Sequence, residues 1–242
     1  MVNTISFDKK QVKMVAHRGV SGLELENTCA AFVAAGNRDY WGIETDVHTT
    51  ADGKFIIFHD DNTGRVATTD VVVEESTLDP LRTLQLQEVR GGNALRVDLK
   101  MPIPEEYFAI CKRYGKVAVF ELKNPMAEDA VAQLVATAKA EIGLENVVFI
   151  SFAFQNLVFV RQTAPEAQCQ YLIGRDFPDL AKQRLVEHKM DLDIYHAHVT
   201  PELVKEMHEK GIKVNCWTVD DPAAAEQLIE WGVDFITSNI LE

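Results

Sequence analysis

Short apolar runs rich in Val, Ile and Phe recur along this chain, separated by stretches of helical periodicity, and that alternation constrains the fold more than any other feature. The runs are VKMVAH (12–17), GIETDV (42–47), KVAVFELK (116–123), NVVFIS (146–151), QCQYLI (168–173), LDIYHA (192–197), IKVNCW (212–217) and VDFITS (233–238). Between them lie amphipathic segments such as AEDAVAQLVATAKAEIG (127–143), PELVKEMHEKG (201–211) and PAAAEQLIEWG (222–232). The last two begin at Pro and end at Gly, as helices tend to. Strand–helix alternation means parallel strands joined by helical crossovers. Eight strand candidates in 242 residues suit an α/β fold of the (β/α)8 TIM-barrel type. A doubly wound open sheet is the competitor, but it rarely needs so many evenly spaced units. The expectation is one TIM-barrel domain over residues 1–242.

One region breaks the rhythm. After GIETDVHTT comes ADGKFIIFHDD, where Asp52-Gly53 between apolar runs reads as a hairpin turn. A hairpin return is antiparallel, so KFIIFH is not counted as a barrel strand. From about residue 51 to residue 102 the composition turns to Thr, Val, Asp and Gly without a strand–helix repeat. This stretch is expected to be a small insertion between the second strand and its helix, packed over one barrel end.

The formal net charge of −13 argues against nucleic acid or a stable membrane association, because long-range repulsion opposes the encounter. An anionic substrate then requires a local cluster of positive charge. The four cysteines, Cys29, Cys111, Cys169 and Cys216, show no CxxC and no metal spacing, and read as reduced core residues. The start of the chain lacks a signal-peptide apolar core and no segment approaches a membrane span, so the expected location is cytoplasmic.

In barrels of this kind the C-terminal strand ends and the loops after them build the active site. Read in order, those ends are unusual. The first strand ends in His17 and Arg18. The second carries Glu44 and Asp46, two residues apart and on one face. The third barrel strand carries Glu121 and Lys123, again on one face, and the seventh ends at Trp217; the insertion contributes His59. Three carboxylates with no thiolate nearby make a hard oxygen site suited to Mg²⁺ or Ca²⁺. Two imidazoles supply a proton donor and acceptor near neutral pH. Arg18 and Lys123 offer a fork and a point charge for a phosphate oxygen. Together these describe phosphodiester cleavage.

The segments HRG, ENTCAAF, IETDVHTTADGK, FHD, ELK, NCWTVD and GVDFITSN, spread over residues 15–239, resemble those of the glycerophosphodiester phosphodiesterase family. The resemblance implies a (β/α)8 barrel with an insertion after the second strand, a bound divalent cation, and hydrolysis of a small-molecule glycerophosphodiester to glycerol 3-phosphate and an alcohol. Residue by residue, it implies His17 and His59 as the acid/base pair and Glu44, Asp46 and Glu121 as metal ligands. Arg18 and Lys123 become phosphate binders, and Trp217 an aromatic wall beside the glycerol. The chain departs from the family at Leu25, where proline is usual, and in DNTGRVATTDVVVEEST after Asp60, which matches loosely.

Taken singly, each of these residues has an ordinary structural reading: a rim histidine, a solvated Glu-x-Asp, a surface ion pair, a core tryptophan. His48 is expected in the turn beyond Asp46, Asn27-Thr28 as a helix N-cap, Glu26 as indirect support for the metal, and Ser151-Phe152 at the barrel mouth. His188, His196, His198 and His208 show no ligand spacing. Two other functions stay open: a related phosphodiesterase acting on lysophospholipids, and a non-catalytic barrel that only binds phosphate.

Overall fold

The computed structural model describes residues 3–88, 94–174 and 177–242. In chain order the elements begin with β1 (Lys13–Ala16), α1 (Cys29–Gly36), β2 (Gly42–Thr49) and β3 (Phe55–Ile57). Then come α2 (Leu78–Arg82), β4 (Leu86–Gln87), β5 (Leu95–Arg96), α3 (Pro104–Tyr114) and β6 (Val117–Leu122). The repeat continues with α4 (Glu128–Glu141), β7 (Val147–Ser151), α5 (Phe154–Thr163), β8 (Gln168–Ile173), α6 (Asp179–His188) and β9 (Asp191–Tyr195). It closes with α7 (Pro201–Glu209), β10 (Val214–Trp217), α8 (Pro222–Trp231) and β11 (Phe235–Ser238).

Eight parallel strands run β1-β2-β6-β7-β8-β9-β10-β11, and β1 pairs with both β11 and β2, so the sheet is a closed barrel. The helix starts follow local chemistry. Thr28, Thr200 and Asp221 each accept a backbone N–H of the first turn, and Pro201 and Pro222 stand at the first helical positions. Gly232 ends α8 at φ 93°, a left-handed conformation that costs glycine nothing.

Strand alternation divides the core. Outward side chains such as Phe120, Phe149, Val214 and Cys216 pack beneath the helices. Val15, Val119, Val148, Ile150 and Leu172 fill the barrel interior, with Trp217 packed against them. Beside them a polar row crosses the interior: Thr237 Oγ1 donates to Asn215 Oδ1, and Asn215 Nδ2 donates to Gln170 Oε1 at 3.0 Å. The register sets Asp46 beside Glu121 on the paired strands β2 and β6.

KFIIFH supplies β3, antiparallel to β2 and outside the barrel, as the Asp52-Gly53 turn predicts. Between β2 and α3 the chain is less bare than its composition suggests, holding α2 and the two-stranded ribbon β4–β5. Ile56, Phe58, Val66, Val73, Leu81, Leu86 and Met101 gather there into an apolar cluster separate from the main core. Leu25, the residue before Glu26-Asn27-Thr28, is buried in that cluster.

Three smaller expectations are corrected. His48 is not in a turn: β2 continues to Thr49, and the ring is buried. Ser151 does not line the barrel mouth, because its hydroxyl turns away to donate to the Leu122 carbonyl at 2.6 Å. Cys29 is half-buried rather than a core residue, whereas the other three cysteines are buried.

Candidate active site

The first strand delivers its chemistry through a strained turn. Arg18 and Gly19 adopt φ of 53° and 76°, and a Cβ on Gly19 would lie 2.7 Å from the Ala31 backbone. That left-handed turn points the Arg18 backbone N–H at Glu44 Oε2, 2.8 Å away. His17 is held from the other side of the barrel seam. Its Nδ1 lies 2.8 Å from Asn239 Oδ1, and the Asn239 amide donates to Asp220 Oδ2 at 2.6 Å. A carboxylate only accepts, so the amide orientation is forced, and the His17 Nδ1–H must be the donor. The free Nε2 faces Glu44 Oε2 at 4.0 Å.

Glu44, Asp46 and Glu121 bring one oxygen each to within 4.8 Å of one another, all on buried side chains. Burial and the charges of Asp46 and Glu121 push Glu44 well above the usual carboxylate range. Glu121 rises for the same reasons, burial first and Asp46 next. Burial opposes ionisation of Asp46 too, but Lys123, Arg18 and His59 hold it well below that range, helped by the Asn27 amide. Three hard oxygen donors forced together in a buried place, two of them resisting ionisation for want of positive charge, fit a divalent cation. Lys123 Nζ lies 2.9 Å from Glu121 and 3.5 Å from Asp46, and Arg18 Nε lies 3.6 Å from Asp46. Both cationic side chains therefore sit at the edge of the acidic cluster.

His59 follows β3, whose continuation is pinned by Phe58 N–H to the Asp46 carbonyl at 3.1 Å. Its Nδ1 donates to Asp60 Oδ1 at 2.6 Å. His17, Glu44, His59, Glu121, Asp193 and Trp217 line one cavity at this end of the barrel. Trp217 packs edge-on against Phe152 at 5.7 Å and against Tyr195 at 5.6 Å between ring centroids. All eight residues singled out in the sequence therefore lie around one acidic cluster and its cavity. Burial, then Arg18, pushes the His17 imidazole down to about 4. His59 is also lowered, by burial first and by Arg18 and Lys123, against Asp46 and Asp60.

Several neighbours of the cluster make contacts that the sequence alone does not express. Thr28 does cap α1, but Asn27 is more than a cap. At φ 54° its amide donates to Asp46 Oδ2 at 2.8 Å and accepts from Thr45 Oγ1 at 2.7 Å. Glu26 supports the cations rather than the carboxylates: it pairs with Arg18 and Arg65, each at 2.7 Å. Arg65 in turn reaches Asp60 at 2.6 Å, completing a chain Arg18–Glu26–Arg65–Asp60–His59. His48 bridges Glu74 and the His59 carbonyl from inside β2. Asn27, inside the recognised ENTCAAF segment, and Asn239, which ends the recognised GVDFITSN segment, carried a signal; Arg65 carried none that distinguishes it from a surface polar residue.

Among known proteins, the model of the glycerophosphoryl diester phosphodiesterase family matches residues 17–241. A glycerophosphodiester phosphodiesterase from Caldanaerobacter subterraneus is 27% identical over 231 residues, covering 93% of each chain. One from Bacillus subtilis is 27% identical over 258 residues, covering 98% of this chain and 86% of that protein. The structure of an Oleispira antarctica phosphodiesterase in complex with the product sn-glycerol 3-phosphate superposes with a TM-score of 0.85 at 26% identity, covering 98% of this chain and 96% of that one. On the strength of that family match, running through both histidines and all three carboxylates, the chain belongs to the glycerophosphoryl diester phosphodiesterase family.

Proposed function

We propose that this protein hydrolyses glycerophosphodiesters to sn-glycerol 3-phosphate and an alcohol, using one divalent cation, Mg²⁺ or Ca²⁺, held by Glu44, Asp46 and Glu121. The observation that carries the reading is the convergence of these three buried carboxylates beside a cavity lined by His17 and His59. When bound, the cation supplies positive charge to a phosphoryl oxygen and to the charge that develops there in the transition state.

His17 is the base in this reading. Its Nδ1 proton is committed to Asn239 and burial keeps the ring neutral, so Nε2 presents a lone pair. It takes the proton of the glycerol hydroxyl beside the phosphate as that oxygen attacks phosphorus. His59 is the acid: the Asp60 carboxylate orients its Nδ1–H and stabilises the imidazolium, so Nε2 protonates the departing alcohol. Water then opens the cyclic ester with the two roles reversed. Arg18 and Lys123 hold non-bridging phosphate oxygens. Trp217 packs against the carbon face of the glycerol. The described residues between 51 and 102 act as a cap that carries His59 over Glu44 and Asp46.

The substrate is a small molecule, and no helix among the described residues is long and apolar enough to cross a membrane. The four free cysteines support a reducing, cytoplasmic setting. The test is turnover of glycerophosphocholine before and after EDTA. Turnover lost with EDTA and restored by Mg²⁺ or Ca²⁺ is expected; turnover indifferent to EDTA, or none with either cation, overturns the reading. Preferential turnover of lysophosphatidylcholine would favour the lipid-acting alternative.

A further inference from the structure

The interior polar row of Gln170, Asn215 and Thr237 is satisfied by its own side-chain hydrogen bonds, but a neighbouring carboxylate stands outside it. Register sets Asp193 of β9 beside Asn215 of β10, on the interior face. Asn215 bonds Gln170 and Thr237, yet Asp193 joins neither. Its side chain belongs to a residue only 2% exposed, and its Oδ1 has no hydrogen-bond partner among the described residues. A buried acceptor left unpaired is costly, and the apolar Ile150 and Leu172 around the same cavity show what a merely space-filling residue would be. Trp217 lines that cavity too, and its indole Nε1 is likewise buried without a partner among the described residues. One acceptor and one donor without partners, on adjacent strands, call for a group that both donates and accepts. A hydroxyl is the smallest such group.

We propose that Asp193 is a specificity-determining residue for the reaction, its carboxyl bonding the terminal hydroxyl of the glycerol moiety while Trp217 Nε1 donates to the same oxygen. The inference rests on the phosphodiesterase reading above. Its geometry comes from the barrel: β9 stands four strands from β2 in either direction around the ring, opposite Glu44 and Asp46. A diester whose phosphorus lies between His17 and His59 extends its far carbon toward β9. The hydroxyl beside the phosphate is the nucleophile, which leaves the terminal one for Asp193. Ionised or protonated, a carboxyl can bond a hydroxyl, so the inference does not depend on how Asp193 titrates.

The test compares glycerophosphocholine with its analogue in which the terminal hydroxyl is replaced by hydrogen, a propane-1,2-diol phosphodiester. A site built to bond a hydroxyl rejects the analogue that lacks it, and the wild-type protein is expected to prefer the glycerol substrate by roughly 10²-fold in kcat/KM. Asp193→Leu is expected to lower that preference to about threefold or less while turning over the deoxy substrate at close to the wild-type rate. Its melting temperature without substrate is expected to equal or exceed that of the wild type, because the unpaired acceptor is gone. Asp193→Asn, which keeps the shape and one acceptor oxygen, is expected to fall between the two and serves if the leucine variant does not fold. A preference that survives both substitutions, or a loss that is equal on both substrates, overturns the inference. So does wild-type turnover that is equal on the two substrates. Wild-type turnover of neither would overturn the phosphodiesterase reading, and this inference with it.

Discussion

Glu121→Gln tests whether the acidic cluster is built for a cation. The three carboxylate oxygens lie within 4.8 Å of one another. At that separation two unit charges repel by about 3.5 kcal/mol at an effective dielectric near 20, so an ionised Glu121 is opposed by Asp46. Lys123 Nζ, at 2.9 Å, offsets that repulsion, so the opposition that remains is the cost of burying the charge. Burial and Asp46 together push Glu121 from 4.5 to about 7. A carboxyl raised in the folded state binds more protons there than in the unfolded chain, so its contribution to stability falls as pH rises between those two values. Without cation, Glu121→Gln is therefore expected to melt close to the wild type at pH 5 and ~2–6 °C above it at pH 8.5, for ~1–2 kcal/mol in a chain of this size. Adding Ca²⁺ or Mg²⁺ at about a hundredfold over its Kd stabilises the wild type by ~2.7 kcal/mol and the variant by far less, so the order reverses. The assay is differential scanning calorimetry at the two pH values, with EDTA and with each cation. A variant less stable than wild type at pH 8.5 in EDTA, or an undiminished cation-induced shift, refutes the reasoning.

Alanine at His17 or His59 should lower kcat/KM by roughly 10²–10⁴-fold with unchanged circular dichroism, and full activity in the double variant would rule out their roles. Trp217→Ala should raise KM five- to tenfold with little change in kcat, since ~40–60 Å² of apolar contact at ~25 cal/mol per Å² amounts to ~1–1.5 kcal/mol. An equal loss on a bis-aryl phosphate lacking glycerol would assign Trp217 to the core instead. Arg65→Met should lower kcat about tenfold by freeing Asp60 and His59. Burial would raise Asp60, but Arg65 and His59 hold it down to about 2, so the acid limb of the pH–rate profile should move to higher pH in the variant; an unmoved limb contradicts the chain from Arg65 to His59.

What the sequence by itself determined is whatever one strand or one helix can express. All eight apolar runs became barrel strands because a period of two residues, bounded by turn chemistry, states which segment is extended and which side chains share a face. Glu44 with Asp46, and Glu121 with Lys123, were legible for that reason, as were His17 and Arg18 at a strand end. His48 was misplaced because the pattern does not say how far a strand persists past its last core residue. Tertiary structure alone decided the rest. Closure of the barrel brings Asn239 to His17 across 222 residues and so selects the tautomer of the His17 ring. Register, rather than composition, sets Asp46 against Glu121 and creates the repulsion a bound cation would relieve. Asp193 reads in the chain as one more polar residue in an apolar run; only the closed interior leaves its Oδ1 without a partner among the described residues. The cause is common to all three. A local pattern records which face a side chain takes, whereas hydrogen bonds and charge coupling depend on ångström-scale distances between strands that meet only when the whole sheet closes.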